Sequence, residues 1–317
     1  NSIILDESCF NKTLIKKIIN IGHWDNVYVI KMSSRLSLFM NRYIFYRLKY
    51  KDIFNIKNAN MVVFTFGNTF ANLLVNSIYK NNNILMGEDG LFPYYGLAIV
   101  KEYYNMIRYN NINKLRRFMK NIINSRTEFN IQRINKFLLL NPEWSPKELV
   151  QQYETEHVIL EQKDIQKVFD ELTCLYDYKE ENIFNDIDII YFDSDFSTEG
   201  LITEREEYDI LYKIFKTLNN LTIFIKLKPN NSDLINTQRK NFYYTLQKAT
   251  ACNLVINSSG AQYPWEIVCF NNAAAIKDII FMSPIFSTAL ITPKKFFGIE
   301  NDIICFQNIL LKEAAGF

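Results

Sequence analysis

The tetrad Gly87-Glu88-Asp89-Gly90 closes the apolar run Asn83-Ile84-Leu85-Met86. A strand that stops there presents two carboxylates on a sharp turn, which Gly90 permits. A carboxylate so placed can take the proton of an attacking hydroxyl as a general base. Successive side chains diverge on a strand-to-loop turn, so only one of the pair is expected to reach a substrate. Asp89 is the candidate base and Glu88 its neighbour; capping of a turn is the structural alternative for both. The aromatic run Phe92-Pro93-Tyr94-Tyr95-Gly96 follows closely, and flat rings beside an acid suit a sugar surface.

Three later stretches offer complementary chemistry. Lys226 and Lys228 end the predicted strand Thr222 to Leu227, just before Pro229-Asn230-Asn231. Residues two apart on a strand point the same way, so two ammonium groups are expected on one face, where a phosphate would be welcome. Glu266 follows Pro264-Trp265 at a predicted helix start, where Pro fits the first turn. Its carboxylate could grip the two hydroxyls of a ribose or simply complement the helix dipole. Ser287-Thr288-Ala289-Leu290 reads as a hydroxyl pair opening a helix, either an anion site or an ordinary cap. Ser258 and Ser259, in Asn257-Ser258-Ser259-Gly260, form a second hydroxyl-rich turn and a further phosphate-loop candidate. A base, a cationic clamp for a leaving phosphate and a ribose grip are what glycosyl transfer from a nucleotide-sugar requires.

The elements that must position these residues alternate. Strand patterns at Ser2 to Leu5, Val27 to Ile30, Met61 to Phe64 and Ile84 to Met86 are separated by helical patterns at Asn11 to Ile21, Ser34 to about Lys49 and Asn68 to Tyr79. Alternation of this kind predicts a parallel sheet covered by helices, with ligands beyond the carboxyl ends of the strands. From Met106 to Leu140 the pattern turns helical and basic. Eight Lys and Arg residues stand there against one acid, Glu128, giving either a solvated hairpin or a surface for anionic lipid or glycan. Asn141-Pro142-Glu143-Trp144-Ser145-Pro146 punctuates the chain, and Lys147 to Tyr176 reads as mostly helical. A second α/β unit then runs through strands at Asp188 to Phe192, Leu221 to Leu227 and Asn253 to Ile256. Its helices are expected at Thr203 to Leu218, with Thr203 and Glu206 as a capping box, at Phe242 to Ala249 and at Trp265 to Asn271. Further short elements are expected at Ala274 to Phe281 and Asp302 to Phe306. The expected architecture is α/β, two Rossmann-like domains facing a cleft, over 1–145 and 146–317, with a basic helical insertion at about 101–140.

Composition narrows the function. Among 317 residues, 36 Lys and Arg against 34 Asp and Glu leave a net charge of +2, which argues against a nucleic-acid binder. The five cysteines, Cys9, Cys174, Cys252, Cys269 and Cys305, are odd in number and dispersed. They fit neither a disulfide framework nor a zinc site, and most are expected to be buried thiols. With only His23 and His157, zinc hydrolases and His-based triads have little material. No run of about 18 apolar residues predicts a membrane span, and no secretory pattern is seen. The sequence opens on a strand without an initiator Met, which leaves room for a preceding β-α unit.

Taken in order, these pieces resemble the bacterial sialyltransferases of glycosyltransferase family 52 and the related capsular polysialyltransferases. That group carries an acidic-acidic-Gly motif, then Lys-x-His-Pro at a strand end, a Pro-x-Glu helix start and a Ser-Ser or Ser-Thr pair. Here they stand as Glu88-Asp89-Gly90, Lys226-Leu227-Lys228-Pro229, Pro264-Trp265-Glu266 and Ser287-Thr288. Phe192-Asp193-Ser194-Asp195-Phe196-Ser197-Thr198-Glu199-Gly200-Leu201 also resembles the opening of that group's second domain. The resemblance implies the B-type glycosyltransferase fold, a CMP-sialic acid donor, inversion at the anomeric carbon, a glycan acceptor and no required metal or other cofactor. Separately from the resemblance, a cytoplasmic protein is expected, with the basic segment 106–140 as a candidate contact with the anionic inner membrane face and a homodimer as one open oligomeric state. By the same carry-over Asp89 is the base, Glu266 holds the cytidine ribose, and Ser287 and Thr288 hold the phosphate. The group's histidine is Lys228 here, a residue whose reference pKa of about 10.4 suits an electrostatic clamp better than a proton donor. Glu199-Gly200 is a second acid-Gly pair and the alternative base. Two other functions stay open on sequence: a teichoic-acid glycerophosphotransferase, which Asn257-Ser258-Ser259 resembles, and a degenerate, non-catalytic glycan-binding relative.

Overall fold

The computed structural model describes residues 2–6, 12–22, 24–30, 42–64, 69–88, 94, 130–179, 184–194, 196–197, 202–228, 233–256, 263–285 and 287–306. The chain divides into two compact units, Asn1–Leu160 and Glu161–Phe317.

In the first unit, β1 (Ser2–Asp6), α1 (Lys12–Ile21) and β2 (Asn26–Ile30) form a parallel pair with its crossover helix. They are followed by α2 (Arg42–Lys49), α3 (Lys51–Phe54), β3 (Asn60–Val63), α4 (Thr69–Ile78) and β4 (Asn83–Gly87). Next come β5 (Lys136–Leu139), α5 (Lys147–Gln152) and β6 (Glu154–His157). A four-stranded sheet runs β3-β4-β5-β6, every pair parallel. Its core gathers Ile30, Phe70, Leu73, Ile84, Met86, Phe137 and Leu139.

Two strands here lie where helix was expected. β5 alternates half-buried Lys136 and Leu138 with buried Phe137 and Leu139, a period-two pattern hidden at the end of a basic stretch. β6 is polar and mostly exposed, and is held at the sheet edge by Lys136, whose Nζ lies 2.7 Å from Glu154 and 3.0 Å from Glu156. Opposite charges across neighbouring strands replace the apolar alternation that would have announced it. Because β6 pairs with β5, the first unit extends to residue 160 rather than to the expected 145.

The second unit opens with α6 (Gln162–Leu175), then β7 (Ile189–Phe192), α7 (Glu204–Thr217), β8 (Thr222–Lys226) and α8 (Asp233–Thr250). It continues through β9 (Asn253–Ile256), α9 (Trp265–Asn271), β10 (Ile280–Ser283), α10 (Thr288–Phe297) and β11 (Ile303–Cys305). The strands form one parallel sheet in the order β11-β10-β7-β8-β9. Counting from β7, this is the order 3-2-1-4-5 of a doubly wound sheet, and the direction of winding reverses between β7 and β10.

Helices cover both faces. α7 and α8 bury Leu211, Phe215, Phe242, Tyr243 and Leu246 against Ile189, Tyr191, Ile223 and Ile225. α9 and α10 bury Trp265, Val268, Cys269 and Leu290 against Ile190, Phe192, Phe224 and Phe281. The strand residues divide between the faces by the two-residue alternation of a strand. α7 opens with the expected capping box, Thr203 and Glu206 bonding reciprocally. Among the described cysteines, Cys252 and Cys269 are buried but Cys174 and Cys305 are exposed. The expectation that most are buried therefore fails for these two: Cys174 lies in the last turn of α6 and Cys305 ends an edge strand with an exposed burial pattern.

Candidate active site

Glu88 follows the last residue of β4 and has a definite structural role in the first unit. Its Oε2 accepts the Leu140 backbone N–H at 2.8 Å and the Tyr94 hydroxyl. The Tyr94 hydroxyl in turn accepts the Asn141 N–H at 3.1 Å, and its ring meets Trp144 edge to face at 5.8 Å. Burial raises the Tyr94 phenol above its ordinary pKa. Glu88 thus fastens the segment after β5 to the end of β4, and Tyr94 of the aromatic run packs internally. Gly87 is closely approached: a Cβ there would lie 2.4 Å from the ring of exposed Phe64, which would have to shift. Asp89 and Gly90 lie outside the described residues, as do Pro229, Ser258, Ser259 and Glu199.

In the second unit the remaining candidates gather at the carboxyl edge of the sheet. Lys226 ends β8, and by alternation with Phe224 it lies on the face covered by α9 and α10. It is 3 % exposed, and its Nζ donates to the Leu227 carbonyl at 3.0 Å. Burial pulls its pKa down to about 8, against the opposing attraction of Glu266. Glu266 sits in the first turn of α9, behind Pro264 at the N-cap. Its charge also reaches Tyr176 and Cys269, adding to the burial that raises both. Ser287 is the N-cap of α10 and Thr288 its first residue. The Ser287 side chain makes no capping hydrogen bond, so it does not serve as an ordinary cap.

Lys226, Glu266, Ser287 and Thr288 therefore share one face and one edge of the second sheet. Lys228 does not match Lys226 as expected. β8 stops at Lys226, strand alternation no longer holds beyond it, and Lys228 is exposed whereas Lys226 is buried.

A buried ionic cluster on the opposite face was not foreseen. Arg239 of α8 donates through Nε to Asp193 at 3.0 Å, and through Nη1 and Nη2 to Glu207 at 3.0 and 2.8 Å. The Tyr243 hydroxyl donates to Asp193 at 2.8 Å. Glu207 also accepts the Ser197 hydroxyl and, at 3.2 Å, its N–H. Asp193 and Ser197 belong to the stretch 192–201 singled out in the sequence, and the Asp193 N–H donates to the Lys226 carbonyl at 3.0 Å. The available signal was a lone arginine in the apolar stripe Ile235, Phe242, Tyr243 and Leu246 of α8. A cavity of about 550 Å3 opens beside this cluster between α7 and α8, lined by Arg205, Tyr208, Gln238 and Phe242. It lies on the face away from Glu266 and α10.

The low pKa of Lys226 has a consequence for stability. Because it is about 8 in the folded chain and 10.5 by reference, the folded state binds fewer protons than the unfolded one between those values. Stability from this group rises with pH across that window, and the penalty of burying the ammonium, of roughly 3 kcal/mol, is fully present below pH 8. Lys226→Met keeps the volume and removes the charge. It is expected to stabilise the chain by about 1–3 kcal/mol at pH 7, the gain shrinking towards pH 10.5 when denaturation curves are compared. A loss of stability at pH 7 would contradict this.

Among the described residues no cluster of His, Cys, Asp and Glu could hold a metal ion, and no helix is long and apolar enough to cross a membrane. Of the basic stretch, Arg133 packs 3.6 Å above the Tyr79 ring and Lys136 pairs with β6; residues 106–129 lie outside the described set. A family model described as alpha-2,8-polysialyltransferase matches residues 7–305. No curated protein matches the chain.

Proposed function

The chain belongs to the alpha-2,8-polysialyltransferase family, and from that premise we propose an inverting transfer of sialic acid, or a related nonulosonic acid, from a CMP-activated donor to a bacterial surface glycan. It is a sialyltransferase-like glycosyltransferase, working on a nucleotide-sugar donor and a glycan acceptor. The finer proposal includes a B-type glycosyltransferase fold, kinship with family 52, a metal-free reaction and work at the inner face of the cytoplasmic membrane on capsule or lipooligosaccharide.

The observation that supports this most is the convergence of Lys226, Glu266, Ser287 and Thr288 at the carboxyl edge of a doubly wound sheet, where such sheets bind nucleotides. Glu266 accepts the ribose hydroxyls. Ser287, Thr288 and the first N–H groups of α10 receive the phosphate, a role supported by the uncommitted Ser287 cap. Lys226 and Lys228 offset the charge that grows on the leaving CMP. Lys226 is the better-placed clamp, because a desolvated ammonium interacts more strongly than an exposed one. Asp89 takes the proton of the acceptor hydroxyl, while Glu88 fastens the segment after β5 to the end of β4.

The test is turnover with CMP-sialic acid and an oligosialyl acceptor, following CMP release and the configuration of the new linkage. Acceptor-dependent CMP release with inversion is expected. Release of CMP from CDP-glycerol instead would assign the chain to glycerophosphate transfer.

A further inference from the structure

Two buried polar atoms on the α9–α10 side of the second sheet have no hydrogen-bond partner among the described residues: the Ser283 hydroxyl and the Trp265 indole N–H. Ser283 is 0 % exposed and Trp265 is 5 % exposed. A buried donor left unmade is costly and rare, so each such group calls for an explanation.

Their positions supply one. Ser283 is the last residue of β10, and by alternation with Phe281 it lies on the face covered by α9 and α10. The register Ile280–Ile189, Phe281–Ile190, Met282–Tyr191 carries on to set Ser283 beside Phe192, and Phe192 is paired with Lys226 on its other side. Ser283, Phe192 and Lys226 therefore form the last row of the sheet across β10, β7 and β8. The Trp265 ring stands over this row, 5.0 Å from Phe192 and 5.7 Å from Phe281. Those two rings belong to β7 and β10, the strands between which the winding reverses. A doubly wound sheet takes its ligand at that reversal. Both donors thus sit at the place where the topology puts a nucleotide, on the row of the sheet that Lys226 shares.

We propose that the Ser283 hydroxyl and the Trp265 indole N–H hydrogen-bond the nucleotide part of the donor, forming the inner wall of its site beside Lys226. This rests on the nucleotide-sugar reading of the same edge. Glu266 and the Ser287–Thr288 helix start grip the ligand from the covering helices, whereas Ser283 meets it from the sheet itself. Neither group has a hydrogen-bond partner among the described residues, so deleting either donor costs the unliganded fold no hydrogen bond there and should weaken the complex.

That separation makes the test. In the full chain, Ser283→Ala and Trp265→Phe delete the donors, the first nearly keeping the volume and the second trimming a buried bicyclic ring. Each is expected to lower CMP affinity by calorimetry roughly three- to tenfold, while the unliganded melting temperature stays the same or rises in Ser283→Ala and falls modestly in Trp265→Phe from the space left behind. Ser283→Ala melting lower without ligand would overturn the assignment of Ser283, and either variant binding CMP as tightly as the unaltered chain would overturn the assignment of its residue. If the unaltered chain binds no cytidine nucleotide, the nucleotide-sugar reading falls and this inference with it. Intact CMP binding indifferent to both substitutions overturns the inference alone.

Discussion

Asp89→Ala should slow CMP release from CMP-sialic acid by at least about a hundredfold, the lower range for losing a general base. The structure sharpens this expectation through the neighbouring acid. Glu88 is engaged with the Leu140 N–H and the Tyr94 hydroxyl, bonds that join β4 to the segment after β5. An acid committed in this way is poorly suited to collecting a substrate proton. Of the two carboxylates of the tetrad, Glu88 joins β4 to the segment after β5, which leaves Asp89 as the base of the proposed reaction. Glu88→Gln keeps an acceptor oxygen for the Leu140 N–H and should be far milder than Asp89→Ala in turnover. Melting temperature serves as the control, because a general base lost from an intact fold changes the rate and leaves the melt in place. Full turnover in Asp89→Ala would remove it from the role and direct attention to Glu199.

Arg239→Ala is expected to lower the stability of the chain by about 3–5 kcal/mol. The guanidinium is 5 % exposed and bonds two carboxylates, Asp193 and Glu207, from helix α8. Removing it leaves two negative charges in the interior with no cation between them, a worse state than an apolar core would be. Arg239→Lys should rescue little, because an ammonium cannot reproduce the planar fork that serves both acids. Denaturation curves of the full chain provide the measurement. A loss under about 1 kcal/mol would show that the carboxylates regain water and that the cluster is peripheral. The consequence reaches the donor edge, since the Asp193 N–H holds the Lys226 carbonyl. The variant should therefore also weaken CMP binding.

Much of the fold could be read from periodicity. The β-α alternation of both units, the capping box at Thr203 and the helix starts at Trp265 and Thr288 follow from local rules that tertiary contacts do not override. The failures have a common physical cause. β6 owes its strand to pairing rather than to pattern, with Lys136 bridging Glu154 and Glu156 in place of a hydrophobic face, and the two-residue period of β5 is short and ends a basic stretch. Lys226 and Lys228 looked equivalent because strand alternation was carried past Lys226, where β8 ends. The Arg239 cluster joins residues up to 50 positions apart, beyond any local window. Ser283 and Trp265 carry no motif: a serine ending a strand is informative only when its hydroxyl is found buried without a partner at the reversal of a doubly wound sheet. Topology, rather than residue type, identifies them.

The measurement that most directly tests the account is a thermal-shift series of the full chain with CMP, UMP, AMP and GMP. A ligand specific for the folded chain stabilises it by mass action, by about 2.7 kcal/mol at a hundred times its Kd. The account predicts a melting temperature that climbs with CMP concentration, stays nearly flat with the other three nucleotides, and loses most of its CMP response in Lys226→Met. No rise with CMP, or an equal rise with all four, would contradict it.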